Sequence, residues 1–230
     1  LYLTWPLVAA TILALVFAIK KFTAERLFLF LWFLGPFIAL ALFGKVLYPR
    51  FILFMTMPLL VLAASSLLEI SRIVKNLKWQ IVLLGLAVIP SLVFDQKLLF
   101  DITHSFLTPI DQGQYVNDWP AGWGVKEANT YLSNEAKKGK IAIFTDGTFG
   151  LMPYAIELYL VYDKNVTIKG LWPLTEEFPS EITVSAKKIP TYFIANQKKD
   201  IPSGWPLVLV GQWQKGINKE SSLRLYNAKH

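Results

Sequence analysis

The chain has 230 residues, 54% of them hydrophobic, a formal charge of +7 and no cysteine, which excludes disulfides and thiol chemistry. The charge is uneven. Residues 1–94 hold eight Lys/Arg and two acids, Glu25 and Glu69, whereas residues 95–230 hold fifteen Lys/Arg and fourteen Asp/Glu. A nucleic-acid binder would carry its basic excess on the polar part; here the excess flanks apolar runs, as in membrane proteins, so no nucleic-acid partner is expected.

The first residues, Leu1-Tyr2-Leu3-Thr4, are already apolar and lack a basic n-region, unlike a secretory signal peptide. They predict a piece of a longer membrane protein. Four apolar runs, at about 1–19, 27–43, 51–70 and 79–94, predict transmembrane helices within a membrane region 1–100. The fourth is short and holds Pro90, but Trp79 can anchor one end and Lys97 can snorkel at the other. Lys20, Lys21 and Arg26 crowd the first loop and Arg72, Lys75 and Lys78 the third, so the positive-inside rule makes both cytoplasmic. The loop Gly44–Arg50 and everything after Phe94 then lie outside. The expected location is the cytoplasmic (inner) membrane, multi-pass, with an extracytoplasmic C-terminal domain and the lipid bilayer as a partner.

Gly44–Arg50 is the loop of greatest chemical interest. The helix expected from Phe51 would point the positive end of its dipole outward. Pro49 suits the first helical position, where a missing N–H costs nothing. Lys45 and Arg50 would then join free backbone N–H groups around one anion, with Tyr48 as a further donor. The same two cations would equally serve as interfacial anchors reaching toward headgroups. A general base near that surface would need a carboxylate, yet Glu25 and Glu69 both fall on the cytoplasmic side. No catalytic residue is therefore expected in this part; the base would lie upstream of Leu1 or, failing that, among Asp101, Asp111 and Asp118 of the connector.

That connector, residues 101–124, mixes carboxylates, amides and aromatics. Asp111, Tyr115, Asp118 and Trp123 are candidate sugar or acceptor contacts, since aromatic faces stack on sugars and polar side chains bind hydroxyls. The competing account is an interfacial aromatic belt. Residues 125–230 read as a small α/β domain. Helices are predicted over Val125–Lys138 and Leu151–Tyr162, and strands over Ile141–Thr145, Val166–Ile168, Thr191–Ala195, Leu207–Val210 and Ser222–Tyr226.

Asp146-Gly147-Thr148-Phe149-Gly150 follows a strand and precedes a helix, the crevice position of α/β folds. It is neither GxGxxG nor a P-loop, and a plain turn with Asp146 or Thr148 capping the helix is expected. His104 and His230 have no Cys or His close in sequence, so no metal site is expected on them. The pairs Lys137-Lys138, Lys187-Lys188 and Lys198-Lys199 read as solvated charges.

Lys45-Val46-Leu47-Tyr48-Pro49-Arg50-Phe51 and the helix run on to Pro58 resemble the late transmembrane helices of C-type membrane glycosyltransferases. The closest likeness is to the family of dolichyl-phosphate-mannose–protein mannosyltransferases and lipid A aminoarabinose transferases, with Phe51 where Tyr is commoner. Gln114-Tyr115-Val116 followed by Ala121-Gly122-Trp123-Gly124 extends the resemblance toward bacterial members. It implies an enzyme that moves a sugar from a polyprenyl-phosphate carrier to a glycan or protein acceptor. Lys45, Arg50 and Tyr48 would bind the lipid phosphate, the catalytic carboxylate would lie in an earlier loop, and a divalent metal is an open addition with no other cofactor expected. The alternative is a non-catalytic, membrane-anchored module that binds glycan or protein. A transporter is disfavoured by the lack of a mid-span ionisable residue.

Overall fold

The computed structural model describes residues 3–20, 23–45, 49–198 and 200–229; Lys21, Tyr48, Lys199 and His230 lie outside the described residues. The chain forms two compact units, 1–110 and 111–230, so the connector 101–124 is divided between them.

The first unit is helical: α1 (Trp5–Lys20), α2 (Ala24–Phe43), a 3-10 turn (Pro49–Ile52) running into α3 (Leu53–Ile73), and α4 (Leu77–Phe100). Three of these segments, Ala24–Phe43, Arg50–Ile73 and Leu77–Phe100, are long and apolar enough to cross a membrane. The first expected span is different. As a helix of 16 residues, α1 reaches about 24 Å at 1.5 Å per residue, short of a hydrocarbon core of about 30 Å. Each of α2, α3 and α4 contains an internal proline, Pro36, Pro58 and Pro90. Membrane helices tolerate this because neighbouring groups take up the freed backbone.

Small residues make the helix contacts. Ala10, Ala14, Ala63 and Ser66 are buried, and Ser66 Oγ donates to Ala10 O across the α1–α3 contact at 2.6 Å. Short side chains let helix backbones approach in a medium that supplies no hydrophobic drive between them. By contrast, α2 has no buried residue. Thr23 caps the start of α2 by accepting from Arg26 N at 3.3 Å, and Asn76 caps α4 by accepting from Lys78 N at 2.9 Å. Gln80 Nε2 donates to Ser71 O and Val74 O, both at 2.8 Å, and so covers the last carbonyls of α3.

The second unit begins with a short helix α5 (Pro109–Gln112) and a π-helical turn (Gly113–Asn117). It continues with α6 (Val125–Ala136), β1 (Ile141–Asp146), α7 (Tyr154–Leu160), β2 (Val166–Leu171), α8 (Ser180–Ala186), β3 (Thr191–Ala195), β4 (Leu207–Lys215) and β5 (Asn218–Ala228). The sheet order is β2-β1-β3-β5-β4. The first three strands are parallel, while β5 runs antiparallel to both β3 and β4.

Both sheet faces are covered. Leu132, Ile156, Ile143 and Ile194 pack on the side of α6 and α7, and Phe144, Ile182, Phe193 and Trp205 on the side of α8. From β1 the chain passes through α7 to β2 on one flank. It returns through α8, on the opposite face, to β3 on the other flank. This reversal opens a crevice at the carboxyl ends of β1 and β3, the ligand position of open α/β sheets.

Candidate functional site

In the first unit the site question concerns one end of the helices. Arg26, in the first turn of α2, forms an ion pair with Glu69 near the end of α3, so α2 and α3 run antiparallel. Lys45 and Arg50 therefore lie at the opposite end, Lys45 in the bend after α2 and Arg50 in the turn that opens α3; both are exposed. The Arg50 guanidinium lies 5.4 Å from the Phe51 ring centroid. Pro49 does open the segment, but as a 3-10 turn rather than the first α-helical turn. Tyr48, expected to assist, lies outside the described residues.

The fourth helix runs six residues further than its apolar run, to Phe100, and so includes Asp95 and Lys97 in its last turns. Gln80, near its start, covers the end of α3, so α4 finishes at the end that holds Lys45 and Arg50. Lys97 Nζ lies 4.1 Å from the Phe106 ring centroid. His104, expected to stand alone, meets a carboxylate: its Nδ1 lies 2.9 Å from Asp101 Oδ1, which also accepts from Thr103 Oγ1 at 2.9 Å. Those two bonds hold the Asp101 carboxyl below its ordinary value. Among the described residues no three His, Cys, Asp or Glu come together as a metal site.

In the second unit, the crevice end of the sheet contains a buried polar frame. Asp146, the last residue of β1, is fully buried. Its Oδ1 accepts from Asn196 N at 2.8 Å, and its Oδ2 from Gln197 N at 2.6 Å and Lys198 N at 2.7 Å. Burial pushes its carboxyl up to about 6, against those three N–H groups, which pull it down. The expected capping role is thus wrong for Asp146: α7 starts only at Tyr154, without a side-chain cap, and the carboxylate instead holds the loop after β3. Gly147 has φ 96°, a left-handed conformation that turns the chain away at this point.

Lys215, at the end of β4, is also fully buried. Its Nζ donates to Trp119 O at 2.7 Å, Ala121 O at 2.8 Å and Asn196 Oδ1 at 2.5 Å. An ammonium has three donors, and all three are used. Burial lowers its pKa to about 8, with Asp146 and Asp118 opposing, so it stays charged at neutral pH. Lys215 is a clasp, with no donor left over for a ligand. Asn196 Nδ2 completes the frame by donating to Trp119 O at 2.9 Å.

Over this frame opens a cleft of about 240 Å³, with walls from Asp118 and Trp119, the loop Asn196–Lys198, and Ser221, Ser222 and Arg224 of β5. Ala195 pairs with Arg224 in the β3–β5 register, which brings Arg224 to the crevice end. Of the four connector residues singled out by sequence, only Asp118 lines the cleft. Asp111 is buried, whereas Tyr115 and Trp123 are exposed elsewhere on the unit. Sequence reasoning missed Lys215, Asn196 and Arg224. One signal existed for Lys215: strand alternation sets it on the same face as Trp213, where an isolated lysine needs buried acceptors.

No protein-family model, curated protein or solved structure matches this chain.

Proposed function

We propose that this chain is part of a membrane glycosyltransferase. It would take a sugar from a polyprenyl-phosphate carrier and pass it to a glycan or protein acceptor outside the cytoplasmic membrane, with Lys45 and Arg50 holding the carrier phosphate. The observation that carries this reading is the pair of exposed cations at one end of the antiparallel α2–α3 pair, opposite the Arg26–Glu69 ion pair. Three apolar helices of membrane-crossing length support it. Setting the end with Lys45 and Arg50 outside follows from the positive-inside rule. Phosphate charge grows as the glycosyl bond breaks, and preorganised cations stabilise that growth. Lys45 supplies a point charge and Arg50 a planar fork for the same oxygens.

The chain's own carboxylates at that end are Asp95, in α4, and Asp101, already hydrogen-bonded by Thr103 and His104. Neither is assigned as the base; the resemblance implies a base in an earlier loop. In the full-length enzyme, Arg50→Ala should lower sugar transfer about a hundredfold, the scale of one lost preorganised donor. Unchanged turnover with a polyprenyl-phosphate sugar would remove the assignment. The alternative of a non-catalytic, membrane-anchored binding module is favoured by one feature, the polar cleft of the second unit.

A further inference from the structure

The cleft over β3 and β5 has a size, a charge and a rigidity that the transferase reading does not use. Its volume of about 240 Å³ lies just under the roughly 300–1,000 Å³ of sites for drug-sized ligands, which suits one small polar molecule. The residues that line it are polar apart from Trp119, which is 36% exposed. Two cations and one carboxylate line it, but the cations are not equivalent. Lys198 Nζ is committed, at 3.1 Å from Thr175 O, 3.4 Å from Glu176 Oε1 and 5.3 Å from the Trp205 ring centroid. Arg224 is not. Its Nη2 donates to Lys198 O at 2.5 Å, while its Nε is buried with no hydrogen-bond partner. A guanidinium carries five donors, so Arg224 keeps capacity for an oxyanion and has a reason to take one, since a buried donor left unpaired is costly.

The surroundings are fixed in advance. Lys215 holds the Trp119 and Ala121 carbonyls together with the Asn196 side chain. Asp146 holds the backbone of residues 196–198. Gly150 permits the ring position, since a Cβ there would stand 2.5 Å from Trp119 Cζ3. Preorganisation of this kind removes ordering cost from binding.

We propose that this cleft binds a small hydroxylated anion, a monosaccharide carrying a carboxylate or a phosphate. Arg224 takes the oxyanion through charge-assisted hydrogen bonds. Asp118, Gln197 and Ser222 meet the hydroxyls, and the Trp119 ring covers an apolar sugar face. The proposal is independent of the transferase reading, because it concerns binding alone.

The test is calorimetric titration of the full chain in detergent micelles with glucuronate, glucose 6-phosphate, glucose and inorganic phosphate. At least one of the two sugar anions should saturate, and at least tenfold more tightly than both glucose and inorganic phosphate; which one does so identifies the oxyanion. Arg224→Gln should weaken that ligand tenfold or more, and Asp118→Asn severalfold. Arg224 also holds the Lys198 carbonyl, so Trp119→Leu is the companion variant: it keeps the clasped backbone and removes the ring, and should cost about tenfold. The proposal is overturned if neither sugar anion saturates in the millimolar range. It is equally overturned if glucose or inorganic phosphate binds as well as the sugar anion, or if Trp119→Leu leaves affinity unchanged. None of these readouts involves sugar transfer, so they leave the Lys45–Arg50 assignment untouched.

Discussion

The two units solve opposite packing problems. In the first, many of the buried side chains are small, Ala10, Ala14, Ala63 and Ser66 beside the larger Met55 and Leu62, while Trp5, Phe43, Leu42 and many other large apolar residues are exposed. In the second, Phe193, Leu132, Ile143 and Ile156 are fully buried, and Asp146 and Lys215 are charged residues buried among them. An inside-out distribution of size and polarity is what a lipid solvent permits, because lipid tails leave apolar surface nothing to gain by burial. The second unit draws its stability from removing apolar area from water, so each charged group it buries costs free energy that hydrogen bonds must offset.

The contrast can be broken most severely at Lys215. Replacing it by Met should strand Ala121 O and Asn196 Oδ1, leave Trp119 O with only the Asn196 amide, and destabilise the second unit by about 3–5 kcal/mol, the scale for breaking a buried polar assembly by removing one partner. Limited proteolysis of the full chain in micelles should then cut within 111–230 while the helices stay protected. Cleavage no faster than in the parent would mean that the clasp carries little of the unit's stability.

Asp146 gives the next effect. Burial raises its folded carboxyl to about 6 from an ordinary 3.8, so the folded state holds this proton more tightly than the unfolded chain. The contribution is present below about pH 4 and is lost as pH rises through 6, with an upper bound of about 3 kcal/mol at 1.36 kcal/mol per unit. Denaturant midpoints of the second unit measured between pH 4 and 7 should fall accordingly, and Asp146→Asn should flatten that slope. A slope that survives the substitution assigns the effect to another group.

The helical unit should respond to size instead. Ala63→Leu, in the α1–α3 contact, should cost about 1–3 kcal/mol by overpacking, read from helix unfolding in mixed micelles, and should leave the second unit's midpoint unchanged. A shift in both would show that the two packing schemes are not separable.

Much of this division could be read from the residues. Apolar run length locates α2, α3 and α4, a short apolar run ending at a turn locates β1, and the expected strand Thr191–Ala195 matches β3. Run length ignores polar residues that a helix carries past its apolar part, which is why α4 was ended at Phe94 and Asp95 was left out of the helix. The 7-residue α8 went unseen because its few apolar positions resemble those of a loop. The cleft was the least legible part. Asp118 could be picked out because it lies in a run of polar and aromatic residues. Asn196 and Arg224 carry no local pattern, Lys215 has only its alternation with Trp213, and only the sheet order brings the three together.

The Lys215 clasp also has a consequence for biosynthesis. Its ammonium binds carbonyls that precede it by 96 and 94 residues. At roughly 5–20 residues per second, the segment around Trp119 leaves the ribosome several seconds before the lysine that will hold it. Early in that interval β1 and β2 can pair, but β3 and Asn196 follow only shortly before Lys215, and until then the wall formed by Trp119 has nothing to fasten it. The cleft is therefore among the last features of the molecule to form, and a nascent chain stalled short of Lys215 would display a sheet without a binding site.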